Sequence, residues 1–134
     1  MLNLALSAVV LMIFLTMGRA LTVRLVGGLS PREGRIEVRY YNGTWGTVCN
    51  NGFTDTSAGV VCYMLGYGRY GRFIGYRYYR GTGTIWLDNV QCNGTETSVA
   101  YCQHSGWGRH NCRRSYVVSV FCITVRERES LLTK

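Results

Sequence analysis

The chain is poor in acid, has almost no lysine, and lacks an apolar run long enough to span a bilayer comfortably. Seven of its 134 residues are Asp or Glu against fifteen Lys and Arg, a formal net charge of +8. So few carboxylates leave little for general acid or base work, and no nucleophile, oriented base and charge stabiliser can be assembled from the rest. Lysine occurs once, as Lys134, so fourteen of the fifteen basic residues are arginine. A guanidinium is planar, permanently charged and able to hold sulfate, phosphate or carboxylate through two parallel hydrogen bonds. The apolar run from Leu4 to Met17 falls short of the roughly 20 residues of a transmembrane helix. It is followed by Gly18, Arg19 and Ala20 and reads as a signal peptide, residues 1–20, cleaved after Ala20. An uncleaved anchor is the competing reading, because no Lys or Arg precedes the run. Neither internal repeats nor low-complexity segments are evident.

Cleavage leaves 114 residues and, with Arg19 gone, lowers the charge from +8 to +7. That length buries a modest core and benefits from covalent help. Six cysteines are present, Cys49, Cys62, Cys92, Cys102, Cys112 and Cys122. An even count in an exported small domain reads as a disulfide framework, with fifteen pairings open. Zinc is the weaker reading, since no Cys-x-x-Cys pair exists and His104 and His110 lack finger spacing. Export makes cytosolic or nuclear nucleic acid an unexpected partner. The expected location is extracellular.

Hydrophobic periodicity predicts an α+β domain. "VRLVGG" from Val23 alternates and stops at two glycines, as a short strand does. In "GRIEVRYYNGTWGTVC", Ile36, Val38 and Tyr40 face one way and Arg35, Glu37 and Arg39 the other. Asn42-Gly43 predicts a tight hairpin turn, Thr44 to Val48 the returning strand, and Trp45 a position over the core. The period changes in "TDTSAGVVCYMLGYG": Ala58, Val61, Cys62 and Leu65 share one helical face, with Thr54 or Asp55 as cap and Gly66 as stop. A second helical turn is predicted from Thr95 to Tyr101 with Thr95 as cap, and "VVSVFC" is a closing strand. Residues 123–134 form a charged C-terminal tail, expected to fray.

Between these elements, Tyr67 to Gly83 alternates Arg69, Arg72, Arg77 and Arg80 with Tyr70, Phe73, Tyr76, Tyr78 and Tyr79, without one acidic residue. Arginine among aromatics suits stacking and anion pairing. About half of these rings are expected to pack inward and half to present a polar tip at the surface. In an exported chain the segment reads as a contact loop.

Together, "VRLVGG", "GRIEV", "NGTWGTVC", "VVC", "LGYG", "IWLDNVQC", "GTE" and "HSGWGRHNC" resemble the scavenger receptor cysteine-rich (SRCR) domain in its six-cysteine form, from Val23 to Cys122. The resemblance implies a curved antiparallel sheet cradling one main helix with a second short helix. It also implies three disulfides, Cys49 with Cys112, Cys62 with Cys122 and Cys92 with Cys102, in an SRCR domain over residues 21–122. Members are binding modules rather than enzymes. Similar domains bind bacterial surfaces, polyanions and host proteins, many of them through a cation site.

The acidic residues of that site are largely missing here. Asn50 and Asn51 stand where two aspartates are usual, Asn89 replaces the second Asp of a "WLDD" block, and Tyr116 and Val117 occupy the places of Glu and Asp. Asp88 alone keeps its charge, with Asn51 and Asn111 as neutral donors. Calcium affinity follows the number of charged oxygens, so no cofactor is expected and calcium binding should be weak or lost. Arg113 and Arg114 lie beside the vacated position. The expected ligands are therefore polyanions or microbial surface components, held by Arg113 and Arg114 with Arg109, and by Arg69, Arg72, Arg77 and Arg80 as a second patch. The alternative is an extracellular protein partner recognised through the arginine and tyrosine loop. A membrane-permeabilising role is disfavoured, because no strongly amphipathic basic helix is present. Asn42-Gly43-Thr44 and Asn93-Gly94-Thr95 are sequons for N-glycans at Asn42 and Asn93.

Overall fold

The structure is a computed structural model that describes residues 8–10, 12, 20–79 and 83–133. The predicted leader lies almost wholly outside these residues, as do Arg80 and Lys134. Among the described residues, no helix is long and apolar enough to cross a membrane.

Six strands form one curved sheet: β1 (Leu21–Gly27), β2 (Glu33–Tyr40), β3 (Gly46–Val48), β4 (Tyr70–Phe73), β5 (Thr84–Leu87) and β6 (Ser119–Ile123). The path runs β4-β6-β2-β3-β5, and β1 pairs with β2. A strand has two edges. β1 follows β2 along one of them from Leu21 opposite Tyr40 to Gly27 opposite Gly34. The other is shared by β6, which pairs with Glu33 to Arg35, and β3, which pairs with Glu37 and Val38. All pairs are antiparallel except β3 with β5, which is parallel, so the sheet is mixed at this one position.

The alternation read in β2 holds. Ile36 and Val38 are fully buried and Tyr40 packs against the same core, where Leu21, Val23, Val60, Val61, Leu87, Val118 and Val120 meet. On the opposite face, Arg24 and Arg35 both bond Glu37, with Arg24 Nη2 donating to Oε1 at 2.6 Å and Arg35 Nη2 to Oε2 at 2.9 Å. The hairpin is wider than the tight turn expected at Asn42-Gly43. Val38 pairs with Gly46, so β3 begins only at Gly46, and Tyr41 takes the left-handed conformation with φ 49°. Trp45 does not cover the core. It stands half-buried with the Arg24 and Arg39 guanidinium groups 4.0 and 4.4 Å from its ring centroid.

Helix α1 (Asp55–Met64) packs on β4 and buries Ser57 to Cys62. Two glycines permit the approach. A Cβ on Gly59 would stand 2.4 Å from the Arg69 carbonyl oxygen, and one on Gly71 would stand 2.8 Å from Ala58 and from Cys62 Sγ. Thr54 is the N-cap residue without a side-chain cap bond, while Asp55 Oδ1 accepts from the Phe73 N–H at 2.8 Å and ties the helix start to β4. Gly66, at φ 87°, ends the helix, and the N–H of Tyr67 returns to the Cys62 carbonyl. The second helical element is shorter than predicted, a single 3-10 turn at Val99–Tyr101. Its cap is Ser98 rather than Thr95, because Thr95 bonds Asn93 instead.

The C-terminal segment is not frayed. Helix α2 (Val125–Leu132) starts with a capping box between Thr124 and Glu127. Glu127 pairs with Arg32, and Arg128 stacks on Tyr70 at 3.6 Å. Three disulfides, Cys49–Cys112, Cys62–Cys122 and Cys92–Cys102, span 63, 60 and 10 residues.

Two predictions follow from these ties. Replacing Cys62 and Cys122 by Ala should lower stability by about 4 kcal/mol, and replacing Cys92 and Cys102 by about 2.5 kcal/mol, from the loop lengths released; denaturant unfolding of both variants measures the order. Acid acts on the carboxyls. Hydrogen bonding from Arg32, and from the Thr124 N–H, lowers Glu127 from 4.5 to about 2. Burial pushes Glu37 up, yet hydrogen bonds and charge from Arg24 and Arg35 leave it below its ordinary value. Each folded-state pKa is depressed, so each contribution is present above the unfolded value and lost as pH falls through the folded one. The α2 clasp should therefore hold at pH 4 and open near pH 2, while E127Q, which lacks the charge, should lose this step; NMR titration of the α2 amides reads both.

Candidate functional site

Three chain segments meet at one corner of the sheet. The end of β3 delivers Asn50 and Asn51, the end of β5 delivers Asp88 and Asn89, and the stretch before β6 delivers Asn111 to Tyr116. The Cys49–Cys112 bridge and the pairing of Cys49 with Val117 bring the first and third together. The Asn50 N–H then donates to the Tyr116 carbonyl at 3.0 Å. Positions 50, 51, 88, 89, 111 and 116, scattered along the sequence, thus form one neighbourhood.

Asp88 is its centre and is fully buried. A buried carboxylate must be satisfied by donors, and here they are amides. Oδ1 accepts from the Asn89 N–H at 2.8 Å, and Oδ2 accepts from the Asn111 N–H at 3.3 Å, with Asn51 Nδ2 standing 3.5 Å away. Asn51 Nδ2 also donates to Asn111 Oδ1 at 3.2 Å. Asn89 holds φ 56° and donates through Nδ2 to Ser105 Oγ at 2.6 Å. N–H groups point at the carboxylate where a cation would need oxygens. Among the described residues, the grouping with metal-ligand types within reach is Cys92, Glu96 and Cys102, whose sulfurs are joined in a disulfide.

Rings close the rest of the corner. Tyr76 meets Tyr116 edge-on at 5.2 Å and accepts, through its hydroxyl, from Asn50 Nδ2 at 2.7 Å. Phe73 continues the chain of rings to Tyr76 at 6.1 Å and to Phe53 at 5.9 Å. The contact loop is thereby docked against the turn that carries Arg114. Tyr76 and Tyr116 stay exposed at their outer edges.

The sequence-predicted arginines divide into two sets. Arg109, Arg113 and Arg114 are exposed, and none enters an ion pair among the described residues. Arg77 is exposed on the loop beside Tyr78, whose hydroxyl bonds Glu33. Arg69, expected at the surface, is instead half-buried. Its Nη1 donates to the carbonyls of Gly94 and Glu96, both at 2.8 Å, and its guanidinium lies 3.8 Å from the Tyr63 ring. Arg72 projects from β4 toward α2, away from the docked part of the loop. Sequence reasoning missed the roles of Arg24 and Arg39 on Trp45; the outward alternation of β1 and β2 was the available signal. The histidines serve the loops: His104 Nδ1 accepts from Gly106 N–H and His110 Nδ1 from Cys112 N–H. The sequon asparagines, Asn42 and Asn93, are both exposed.

The scavenger receptor cysteine-rich domain profile matches residues 26–123. Among solved structures, the third SRCR domain of murine neurotrypsin is 45% identical, covering 76% of this chain and 95% of its own, with a TM-score of 0.67. The SRCR domain of mouse MARCO, solved in a dimeric form, is 44% identical, covering 75% of this chain and 94% of its own, with a TM-score of 0.62. The disulfide-bridged half-barrel, its helix and the sequence match agree: this chain belongs to the scavenger receptor cysteine-rich domain family.

Proposed function

We propose that this protein is a secreted binding module for polyanionic and microbial surface ligands, and that Arg113 and Arg114, with Arg109, hold those ligands without calcium. The observation that carries this reading is the contrast at the corner. Asp88 is enclosed by N–H donors, Asn50 and Tyr116 fill neighbouring positions, and the arginines of the same segment are exposed and make no ion pair among the described residues. A divalent ion that could bridge an anion has one carboxylate to hold it. Guanidinium groups on the segment that follows Asn111 would supply the positive charge directly. Arg77 extends the basic surface along the docked loop, and Arg80 lies on the same segment of sequence. N-glycans at Asn42 and Asn93 would shield part of the surface and narrow the binding face. The domain carries ligands and performs no chemistry on them.

A second reading rests on the exposed rings. Tyr76 and Tyr116 stand at the same corner and are exposed, and tyrosine with arginine is the composition that protein interfaces enrich. The mouse MARCO domain has been crystallised in a dimeric form, so a second copy is one partner of this type. Salt separates the two readings, since polyanion capture weakens as charges are screened.

Retention of the secreted protein on immobilised heparin and on lipopolysaccharide tests the proposal. Binding should persist in chelator and fall with added salt. An R113A/R114A double variant should bind about thirtyfold more weakly, from about 1 kcal/mol for each exposed charge contact. Loss of retention in chelator, or unchanged affinity in the double variant, refutes it.

A further inference from the structure

Beyond the corner, α2 builds a groove on the sheet's other edge, outside the matched span of residues 26–123. In the β4 and β6 pairing, Tyr70 stands opposite Ile123 and Arg72 opposite Phe121. Alternate residues share a face, so these four side chains lie on one side of the sheet. Gly71 lies on the other side, against Cys62 and α1. Helix α2 crosses the first face. Its residues Glu127, Ser130 and Leu131, at helical spacing, line a cleft of about 390 Å³ with Phe121, Ile123 and Arg72.

The lining has an uneven chemistry. Phe121 and Ile123 make an apolar floor and Leu131 an apolar lip that remains 60% exposed. The acid in the cleft is already engaged: Glu127 pairs with Arg32 and accepts from the Thr124 N–H. Arg72 is exposed and makes no ion pair among the described residues. A free cation beside apolar walls complements a molecule with one anionic end and one hydrocarbon end. The volume lies in the small-ligand range and suits a single extended chain.

We propose that this groove binds a medium-chain fatty acid, with its carboxylate on Arg72 and its alkyl chain along Phe121, Ile123 and Leu131. Two features favour a free acid over a bulkier partner. Arg72 is the exposed cation of the lining and makes no ion pair among the described residues, and α2, with none of its side chains buried, is held to the sheet by polar and stacking contacts that leave Leu131 exposed. A chain laid between helix and sheet would cover it. The site is separate from the arginine corner and does not rest on the function proposed for it.

The test is calorimetric titration of the intact secreted protein with dodecanoate and decanoate below their micellar concentrations and with dodecanol below its solubility limit. Dodecanoate should bind once per chain, roughly tenfold more tightly than decanoate, as burial of two further methylenes requires. Dodecanol should bind more weakly than dodecanoate, and R72Q should abolish that preference. L131S, a change at an exposed position, should weaken both ligands while leaving heparin retention unaltered; R113A/R114A should leave dodecanoate binding unaltered. Absence of saturable dodecanoate binding, or equal affinity in wild type, R72Q and L131S, overturns the proposal whatever the heparin result.

Discussion

Two covalent ties of about sixty residues each decide where everything else in this small domain can sit. Cys62–Cys122 fastens α1 to β6, and Cys49–Cys112 fastens the end of β3 to the stretch that leads into β6. A domain of this size buries too little apolar surface to fix distant loops by packing alone. The bridges restrict the unfolded ensemble instead, and they bring unlike segments into register. Cys49 pairs with Val117 as well as bonding Cys112, so the Asn50 to Asn51 and Asn111 to Tyr116 segments have little freedom to separate. The positions of Arg113 and Arg114 follow from that constraint.

Within this frame the scarce acids are structural. Glu33 accepts from Tyr78, Glu37 from Arg24 and Arg35, Asp55 from the Phe73 N–H, and Asp88 from the Asn89 and Asn111 N–H groups. Glu96 accepts from Asn93 and Gly94 N–H, which together outweigh its burial and lower its pKa, and Glu127 joins Arg32. Six of the seven acids thus anchor loops or arginines inside the fold. The surplus of basic charge is consequently presented outward, where it can meet an anion. At the corner, amides surround the single carboxylate of Asp88, while Arg113 and Arg114 on the adjoining segment are exposed.

Much of the fold was legible because its signals are local. Ala58, Val61 and Cys62 repeat at helical spacing and are buried together in α1; Ile36 and Val38 alternate and are buried together in β2. What was missed depends on partners remote in sequence. The tail reads as polar and mixed in charge, yet Glu127 finds Arg32 ninety-five residues away and Arg128 finds Tyr70. Trp45 looks like a core residue by type, but two arginines from β1 and β2 flank its ring and keep it outside the main cluster. Asn42-Gly43 carries a hairpin signature, yet the turn centres one residue earlier, on Tyr41 and Asn42, where the Gly43 N–H donates to the Tyr40 carbonyl, and β2 pairs with β3 only from Val38 and Gly46.

The arginine and tyrosine segment shows how one composition serves both scaffold and surface. Arg69 stacks on Tyr63 and caps two carbonyls, and Tyr70 receives Arg128. Each such stack contributes on the order of 0.5 to 1 kcal/mol at an exposed site, and it also removes side-chain freedom from a long residue. Arginines held this way are poor at adapting to a ligand, because their donors and faces are occupied. Among the described residues, Arg109, Arg113 and Arg114 enter no ion pair and no ring stack, and are exposed. The division between structural and exposed arginine is therefore set by whether a ring or carbonyl lies within reach, a property of the folded chain that residue type alone does not encode.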